Sequence, residues 1–554
     1  PVTVSAIQGG GALTMANGAL TVSGNASLGG YQQTGGSLNV GGAMNVATRT
    51  GVSQTAGQLT VAGALDWKAD TTQNQDASLM GVNNWNGLTS FTGVNSGSWR
   101  NITFVADGSV NLGNVVATGK LDGTAGSSLN LNGTINVASL DLTATAGNIT
   151  QGTNGTLTVT NGPSNLVAGG DITLDKANDF NGTVNASGVN VIINDINSLT
   201  LGDVTATGNL DATAATNLNL DGTISVASLD LTATSGNITQ GANGTLTVTD
   251  GPSNLVAGGD IILNQANDFN GTVNADGVNV TLNDVNDLTL GDVTASGTLD
   301  VTAGTDLTIN GTVTATDTTL TAGNDIVING DVTSGTLVAD AEGSITQGAD
   351  STLAVTDSLA LNATTGDITL GGTVTAADTT LTAGNDIVIN GDVTSGTLVA
   401  DAEGSITQGA DSTLAVTDRD LLQTATTPVV IVFAHDGNGA WSQQSRIPAT
   451  LYTYTPPLSG GRAYGSMVFS SDGNTLAVNT AKVPGQVACD APATYSGETQ
   501  RIALYSRSSD TWTLQGQAVS AAQPLSPWAF ANDGSALIYG NTLFTRSNGT
   551  LACN

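Results

Sequence analysis

The amino-acid sequence predicts an all-β protein, a parallel β-helix with about 20 residues per coil followed by a C-terminal antiparallel β domain. Three observations predict this fold. Long segments of the chain are repeated, short apolar runs alternate with period two, and Asn-Gly, Gly-Asp and Gly-Asn pairs recur where strands would have to turn. No segment keeps the apolar spacing of an amphipathic helix for long enough to form one.

Composition agrees with strands and turns. Only 10% of the residues are charged, 72 are Gly, and glutamate occurs only at Glu342, Glu403 and Glu498. The other acidic residues are Asp, whose short side chain bonds nearby backbone and therefore favours turns. A helical bundle and a charge-rich disordered chain are both poor fits to this composition.

The net charge of -33 lies entirely in the first 418 residues, because basic and acidic residues cancel from Arg419 onward. Such a surface repels nucleic acids and anionic membranes, which bind to clustered Lys and Arg. No stretch approaches the 18 apolar residues of a membrane span. We therefore expect neither nucleic acid binding nor membrane insertion.

The chain contains three repeat systems. Related phrases recur near the N-terminus at Ile7, Gln32 and Ser53, and an 89-residue unit begins at Leu112, Leu201 and Leu290. A 61-residue unit follows. Because of this repeat, the sequence of residues 317–357 occurs again as residues 378–418 and is identical at all 41 positions. A catalytic site gains nothing from such a copy, whereas a structure that is useful for its length gains one unit with each duplication.

The long units divide into shorter steps of about 20 residues, a period typical of solenoid repeats, and we interpret each step as one coil. The 89-residue unit divides into four steps, at Leu140, Leu166, Val189, Leu210 and Leu229. Because a single coil of three short strands cannot bury its apolar side chains, coils must stack, with parallel strands about 4.8 Å apart and Asn and Thr ladders between them. About 20 coils would form a rod on the order of 100 Å long.

These patterns divide the chain into four segments, which are N-terminal coils at 1–66, an irregular aromatic-rich insertion at 67–111, the main β-helix at 112–418 and the C-terminal β domain at 419–554. The insertion holds the candidate interaction patch Trp67, Trp85, Phe91, Trp99 and Phe104. One hypothesis is a loop or irregular coil packed on the rod by its aromatic rings. The other is a docking patch for a sugar or another subunit, because exposed aromatic rings are costly to leave in water.

The C-terminal segment contains the only two cysteines, Cys489 and Cys553. A disulfide between them would fasten the end of the chain and would suit an oxidising, extracellular location, whereas two buried thiols are the alternative. The same segment predicts β-hairpins with Asp-Gly turns, at Asp436, Asp472 and Asp533.

The first 418 residues resemble the repeats of filamentous haemagglutinin-like bacterial surface adhesins, through GGSLNVGG, LTAGNDI and LVAGGDI. This resemblance implies a secreted, right-handed β-helix that sticks to surfaces or to itself. The C-terminal segment resembles FG-GAP-type, integrin-like propeller repeats, through VVIVFAHDGNGAWSQQ and YGSMVFSSDGNTLAV. That resemblance implies about two propeller-like blades, fewer than the four of a closed propeller.

Enzyme activity is not expected. The only histidine, His435, precedes Asp436 in a predicted hairpin turn, and the carboxylates Asp284, Asp287 and Asp292 recur one repeat earlier with Ser198 in place of the middle Asp. No catalytic, cofactor or zinc site is predicted. Carboxylates such as Asp325 and Asp331 leave weak calcium binding open.

Two functions remain. The first is a subunit of an extracellular bacterial filament or matrix, joined to further copies of itself through β-helix ends and the C-terminal β domain. The second is a monomeric cell-surface adhesin stalk that binds a carbohydrate or a protein. The repeats favour the filament.

Overall fold

The structure is a computed structural model of the chain. It describes residues 1–70, 75–95, 97–410 and 412–416, and beyond them the backbone of the strands between Val429 and Cys553. Two compact units divide the chain, residues 1–335 and 336–554. In each unit the described chain up to residue 416 forms parallel β-solenoid coils of about 19 residues, so the predicted solenoid is confirmed.

In the first unit the strands are short and stack in parallel. Residues that pair across neighbouring coils lie between 17 and 25 positions apart in the sequence, as with Asn178 and Asp195 or Ala77 and Ile102. Inward side chains alternate with outward ones, so that Leu140 and Leu142 are buried in the strand Ser139–Ala144. The period-two pattern of the sequence is thus the pattern of the core.

The 89-residue copy that begins at Leu201 serves as an example of the strand order, and its strands are given next. They are Leu199–Ala214, Leu218–Leu220, Thr223–Ala233, Ile238–Gln240, Thr245–Val248, Ser253–Ala257, Ile261–Phe269, Thr272–Gly277 and Val280–Asp284.

The 89-residue unit does not equal four coils, which corrects the division predicted from the sequence. Ile149 stacks through three intermediate strands onto Leu229. Leu229 is the copy of Leu140 in the next unit. Leu140, however, lies one strand before Ile149 in the same coil, and its column of strands leads to Leu201 and Leu220. Each copy therefore advances the chain by four coils and one further strand.

The extra strand arises at the sequence Leu-Gly-Asp-Val, where one column of strands divides into two. Leu201 and Val204 pair with the same strand of the preceding coil but with separate strands of the next, Leu218–Leu220 and Thr223–Ala233. Glycine suits the position between them because a Cβ on Gly202 would lie 2.1 Å from Asn185 Oδ1, which would then have to shift.

The 61-residue unit behaves differently. Leu337, Leu359, Thr379 and Leu398 stack in one column, so Leu337 and its copy Leu398 are separated by three whole coils. The prediction that this duplication adds whole coils is confirmed by the register.

Inward-facing asparagines stabilise several corners. The amide nitrogen of Asn178 donates to Leu174 O at 3.0 Å, to Asn194 O of the next coil at 3.2 Å and to Gln151 Oε1 at 3.2 Å. Asn267 repeats this arrangement one unit later. These amides donate to backbone carbonyl groups at the bend, where the register of the ladder shifts.

The second unit begins with parallel coils and continues with antiparallel strands. Its strands are Thr336–Ala341, Ile345–Gln347, Thr352–Val355, Ser358–Ala363, Ile368–Leu370, Thr373–Ala383, Ile387–Ile389, Val393–Ala402, Ile406–Gln408, Leu414–Val416, Val429–His435, Trp441–Pro448, Met467–Phe469, Thr475–Pro484, Glu498–Ser508, Thr511–Ser520, Trp528–Phe530, Ala536–Tyr539, Thr542–Ser547 and Thr550–Cys553.

From Val429 onward, strands that follow one another within each sheet pair antiparallel. The backbone of Val429–His435 and Trp441–Pro448, for example, forms the hairpin that the sequence predicts. The turn residues Asp436, Asp472 and Asp533 lie outside the described residues, and the two propeller-like blades stay a prediction.

Candidate functional site

The predicted aromatic patch lies inside the solenoid. Trp67, Phe91, Trp99 and Phe104 are 0% exposed and Trp85 is 1% exposed. Ring centroids lie 5.5 Å apart for Trp85 and Phe104 and 6.3 Å apart for Trp67 and Phe91. The interaction patch is therefore a wrong prediction, because rings that contact one another in a closed core cannot bind a ligand at the surface.

The segment 67–111, predicted to be an irregular insertion, contains strands that pair with neighbouring coils, with register shifts at Gln75/Ala77 and Thr89/Phe91. Leu65–Ala69 pairs in parallel with Leu88–Gly93, and the next face pairs Gln75–Leu79 with Trp99–Ala106. The stack of coils therefore continues through the described residues of this segment. The rings occupy inward positions of alternating strands, a signal already present in the sequence LDWKA.

Polar side chains enter the same core. Tyr31 Oη donates to Gln33 Oε1 at 2.5 Å, and Gln54 Nε2 from the next coil donates to the same oxygen at 2.9 Å. Burial raises the pKa of the Tyr31 phenol. This ladder was not predicted from the sequence, although Gln33 and Gln54 occupy matching positions in the phrases YQQTGG and VSQTAG.

Several buried polar atoms in these coils have no partner within the described part of the chain. Unpaired buried polar groups are uncommon in native proteins, and each costs about 1–3 kcal/mol. They are Gln54 Oε1, Asn83 Oδ1, Thr89 Oγ1 and the indole nitrogens of Trp67, Trp85 and Trp99.

The carboxylates considered for catalysis have structural roles. Asp284 is 1% exposed and accepts backbone N–H groups of Phe269 and Asn286, each at 2.7 Å. Burial raises the pKa of Asp284 despite these two bonds. Asp195, its counterpart one unit earlier, accepts the equivalent bonds and also has a pKa raised by burial.

Asp287 and Asp292 lie on the exposed surface. Asp287 accepts bonds from the Thr305 hydroxyl and from Asp306 N, and the Thr305 bond is the main cause that lowers its pKa. Asp292 Oδ1 accepts Thr312 N at 2.9 Å. Each carboxylate thus binds the backbone of the next coil.

Asn and Asp form ladders along the corners. Asp171 N donates to Asn148 Oδ1 at 2.9 Å, Asn190 N to Asp171 Oδ1 at 3.1 Å, and Asn209 N to Asn190 Oδ1 at 3.0 Å. The predicted side-chain ladders are confirmed. Their oxygens are occupied by backbone N–H groups, which leaves fewer lone pairs for a metal.

No group of three or more potential metal ligands lies within the described residues. Asp325 and Asp331 flank the strand Ile326–Ile328, and the backbone oxygens of both accept bonds from the preceding coil. Weak calcium binding stays a prediction.

All five basic residues before Arg419 form ion pairs with Asp. The N–O distance is 3.1 Å for Arg49 and Asp70 and 2.9 Å for Lys176 and Asp175. After Lys176 the sequence has no Lys or Arg until Arg419. The coils between them therefore present acidic and amide groups and carry no Lys or Arg of their own.

A shallow groove crosses three coils of the second unit. Its acidic members are Asp401 and Glu403, and its lining is otherwise amide, hydroxyl and small residues. The groove is lined by Asn362, Ala363, Thr364, Thr382, Ala383, Gly384, Asp401, Ala402, Glu403 and Gly404.

The remaining residues singled out in the sequence are the two cysteines and His435. Cys489 and the side chain of Cys553 lie outside the described residues, so the disulfide stays a prediction. His435 ends the strand Val429–His435, and its side chain also lies outside the described part. In the described residues no helix has the length and apolar character needed to cross a membrane.

Five stretches of the chain match one family of repeats. The family is described as Repeats of unknown function (DUF5649), and the matches cover residues 123–187, 188–228, 215–276, 277–332 and 317–375. They lie within the predicted main β-helix and agree with the solenoid fold. No curated protein and no solved structure matches the chain.

Proposed function

We propose that the protein is a secreted structural protein, a subunit of an extracellular bacterial filament or matrix that assembles through the ends of its solenoid and its C-terminal β domain. The resemblance to filamentous haemagglutinin-like repeats and to FG-GAP-type repeats supports this proposal. So does the acidic surface, which suits solubility outside the cell.

The observation that carries the proposal is the 61-residue duplication. Because it spans three whole coils, Leu337 and Leu398 stack in one column and the register continues. A solenoid can be lengthened in this way without new contacts, since each coil contacts only its neighbours. Length is the property that such a duplication changes.

The adhesin stalk is the second candidate. The groove that contains Asp401 and Glu403 favours it, because amide, hydroxyl and carboxylate groups are suited to bind the hydroxyl groups of a carbohydrate. The buried aromatic cluster gives the stalk no support.

Electron microscopy of the purified, undenatured protein across a dilution series tests the proposal. We expect filaments, and we expect deletion of residues 340–400 to shorten their axial repeat by three coils, about 14 Å at about 4.8 Å per coil. The deletion joins Ala339 to Asp401, and Ala339 shares a column with Ala400.

Single particles at every concentration would exclude the filament. Filaments whose axial repeat does not change on deletion would exclude assembly through the solenoid ends. In the first case, a screen of oligosaccharides against the unchanged protein and an Asp401→Asn, Glu403→Gln variant would test the stalk.

A further inference from the structure

The two identical segments differ in burial. Leu353 and Val355 are 0% and 3% exposed, whereas their copies Leu414 and Val416 are 39% and 46% exposed. Register places both pairs at inward positions, because Leu353 stacks through Val374 and Val393 onto Leu414. The sequence is the same, so the difference comes from what covers each coil.

Leu353 is covered by a further coil, and Leu414 lies in the last coil that the structure describes. Burying a Leu or Val side chain contributes about 1.5–3 kcal/mol, so these half-exposed groups represent apolar surface that a covering layer would stabilise. An open coil end also presents unpaired backbone groups, which proteins usually cover.

The backbone identifies a covering segment. Thr407 and Gln408, in the last coil, pair with Ser442 and Trp441 in antiparallel register. Those two residues belong to the hairpin of Val429–His435 and Trp441–Pro448. An antiparallel strand at this edge interrupts the parallel stack, so it ends the solenoid where another coil would extend it.

The sequence of the hairpin suits this position. Val429, Ile431 and Phe433 share one face of its first strand by alternation, and Val430 and Val432 share the other. A strand that is apolar on both faces is typical of a buried position. Beside a half-exposed core, such a strand has apolar surface to bury.

We propose that this hairpin, from the same chain, is the cap that ends the solenoid, closing the last coil along the strand Ile406–Gln408 and leaving Leu414 and Val416 half exposed beside it. The hairpin is joined to Val416 by residues 417–428, which can span up to about 40 Å when extended. That length permits a hairpin of a second copy as the alternative occupant. The inference concerns one chain, and it limits the filament contacts of the proposed function to the other end of the solenoid and to the C-terminal β domain.

Disulfide trapping tests the cap. In the full chain with Cys489→Ser and Cys553→Ser, the pair Thr407→Cys with Ser442→Cys places two thiols directly opposite each other. We expect a bond within one chain, formed at a rate independent of protein concentration. The matched control is Thr407→Cys with Ser445→Cys, which is out of register and should crosslink at least tenfold more slowly.

Crosslinked dimers whose yield rises with concentration would show that a second copy supplies the hairpin, and equal rates for the two pairs would show that no cap exists. Either result overturns the proposal.

Hydrogen exchange gives an independent readout. Thr407→Pro, which removes a backbone N–H from the strand that pairs with the hairpin, should increase exchange in residues 429–448 at least tenfold and leave residues 336–370 unchanged. Thr346→Pro, the matched change in the other copy, should increase exchange in the coils around it and leave the hairpin unchanged. Unchanged exchange of the hairpin in Thr407→Pro would also overturn the proposal.

Discussion

Replacement of Asn178 by Ala should destabilise its coils out of proportion to the size of the change. The Asn178 amide donates to Leu174 O, Asn194 O and Gln151 Oε1 at 3.0 to 3.2 Å, and its side chain is 0% exposed. Alanine would remove all three hydrogen bonds from this buried site. At about 0.5–1.5 kcal/mol for each bond, the expected loss is about 1.5–4.5 kcal/mol.

Hydrogen exchange of the peptide covering residues 172–196 is the appropriate assay, because a solenoid opens locally and its coils need not unfold together. At about 1.4 kcal/mol per tenfold change, exchange should become roughly tenfold faster or more. Asn181→Ala is the matched control, since Asn181 is exposed and its side chain donates to Asp179 Oδ1 at 2.9 Å, on the surface. Its effect should stay within about 0.5 kcal/mol.

Asn267→Ala provides a second, independent measurement, because Asn267 donates to Leu263 O and Asn283 O, each at 3.1 Å. If either buried asparagine costs no more than Asn181, the carbonyl groups find other donors and the reasoning is refuted.

Three further predictions follow from the corners, the buried acids and the duplication. Gly202→Ala should cost at least about 1 kcal/mol in urea titrations, because its Cβ would displace the bond from Asp203 N to Asn185 Oδ1, whereas Gly10→Ala meets nothing within 4 Å and should be neutral. Burial raises the pKa of Asp195 and Asp284, so their contribution to stability should grow as the pH falls from about 7 toward about 3.9 and be lost as it rises through the folded pKa. The unchanged protein and an Asp195→Asn, Asp284→Asn variant should therefore differ in pH dependence, and parallel curves would contradict this. Deletion of residues 340–400 should preserve β-sheet circular dichroism per residue, whereas deletion of residues 340–389, which does not close on whole coils, should reduce it.

The sequence was sufficient to predict the solenoid because its signals are local. Alternation places Ile326 and Ile328 inward, and repetition shows that coils stack. The aromatic prediction failed because residue type was weighed above position, although Trp67 keeps the alternation of its strand. Burial of a ring depends on which coils lie above and below it, and spacing alone does not show this.

Other features depend on geometry that appears only after folding. Asn178 points inward because a strand bends at that corner, and nothing in its neighbours distinguishes it from an exposed asparagine such as Asn181. The extra strand of the 89-residue unit escaped prediction for a related reason. The sequence shows how many residues each copy contains. The number of coils in each copy follows only from the register in which the strands pair.

The shorter repeat spans whole coils and the longer repeat does not, and this difference affects how the chain can evolve. Recombination between identical gene segments adds or removes whole copies. Loss or gain of a copy of the shorter unit returns the chain to the same column of strands, so every downstream residue keeps its neighbours. Loss of a copy of the longer unit instead shifts everything downstream by one strand. Natural variants of this chain are therefore expected to differ by whole copies of the shorter unit more often than by whole copies of the longer one.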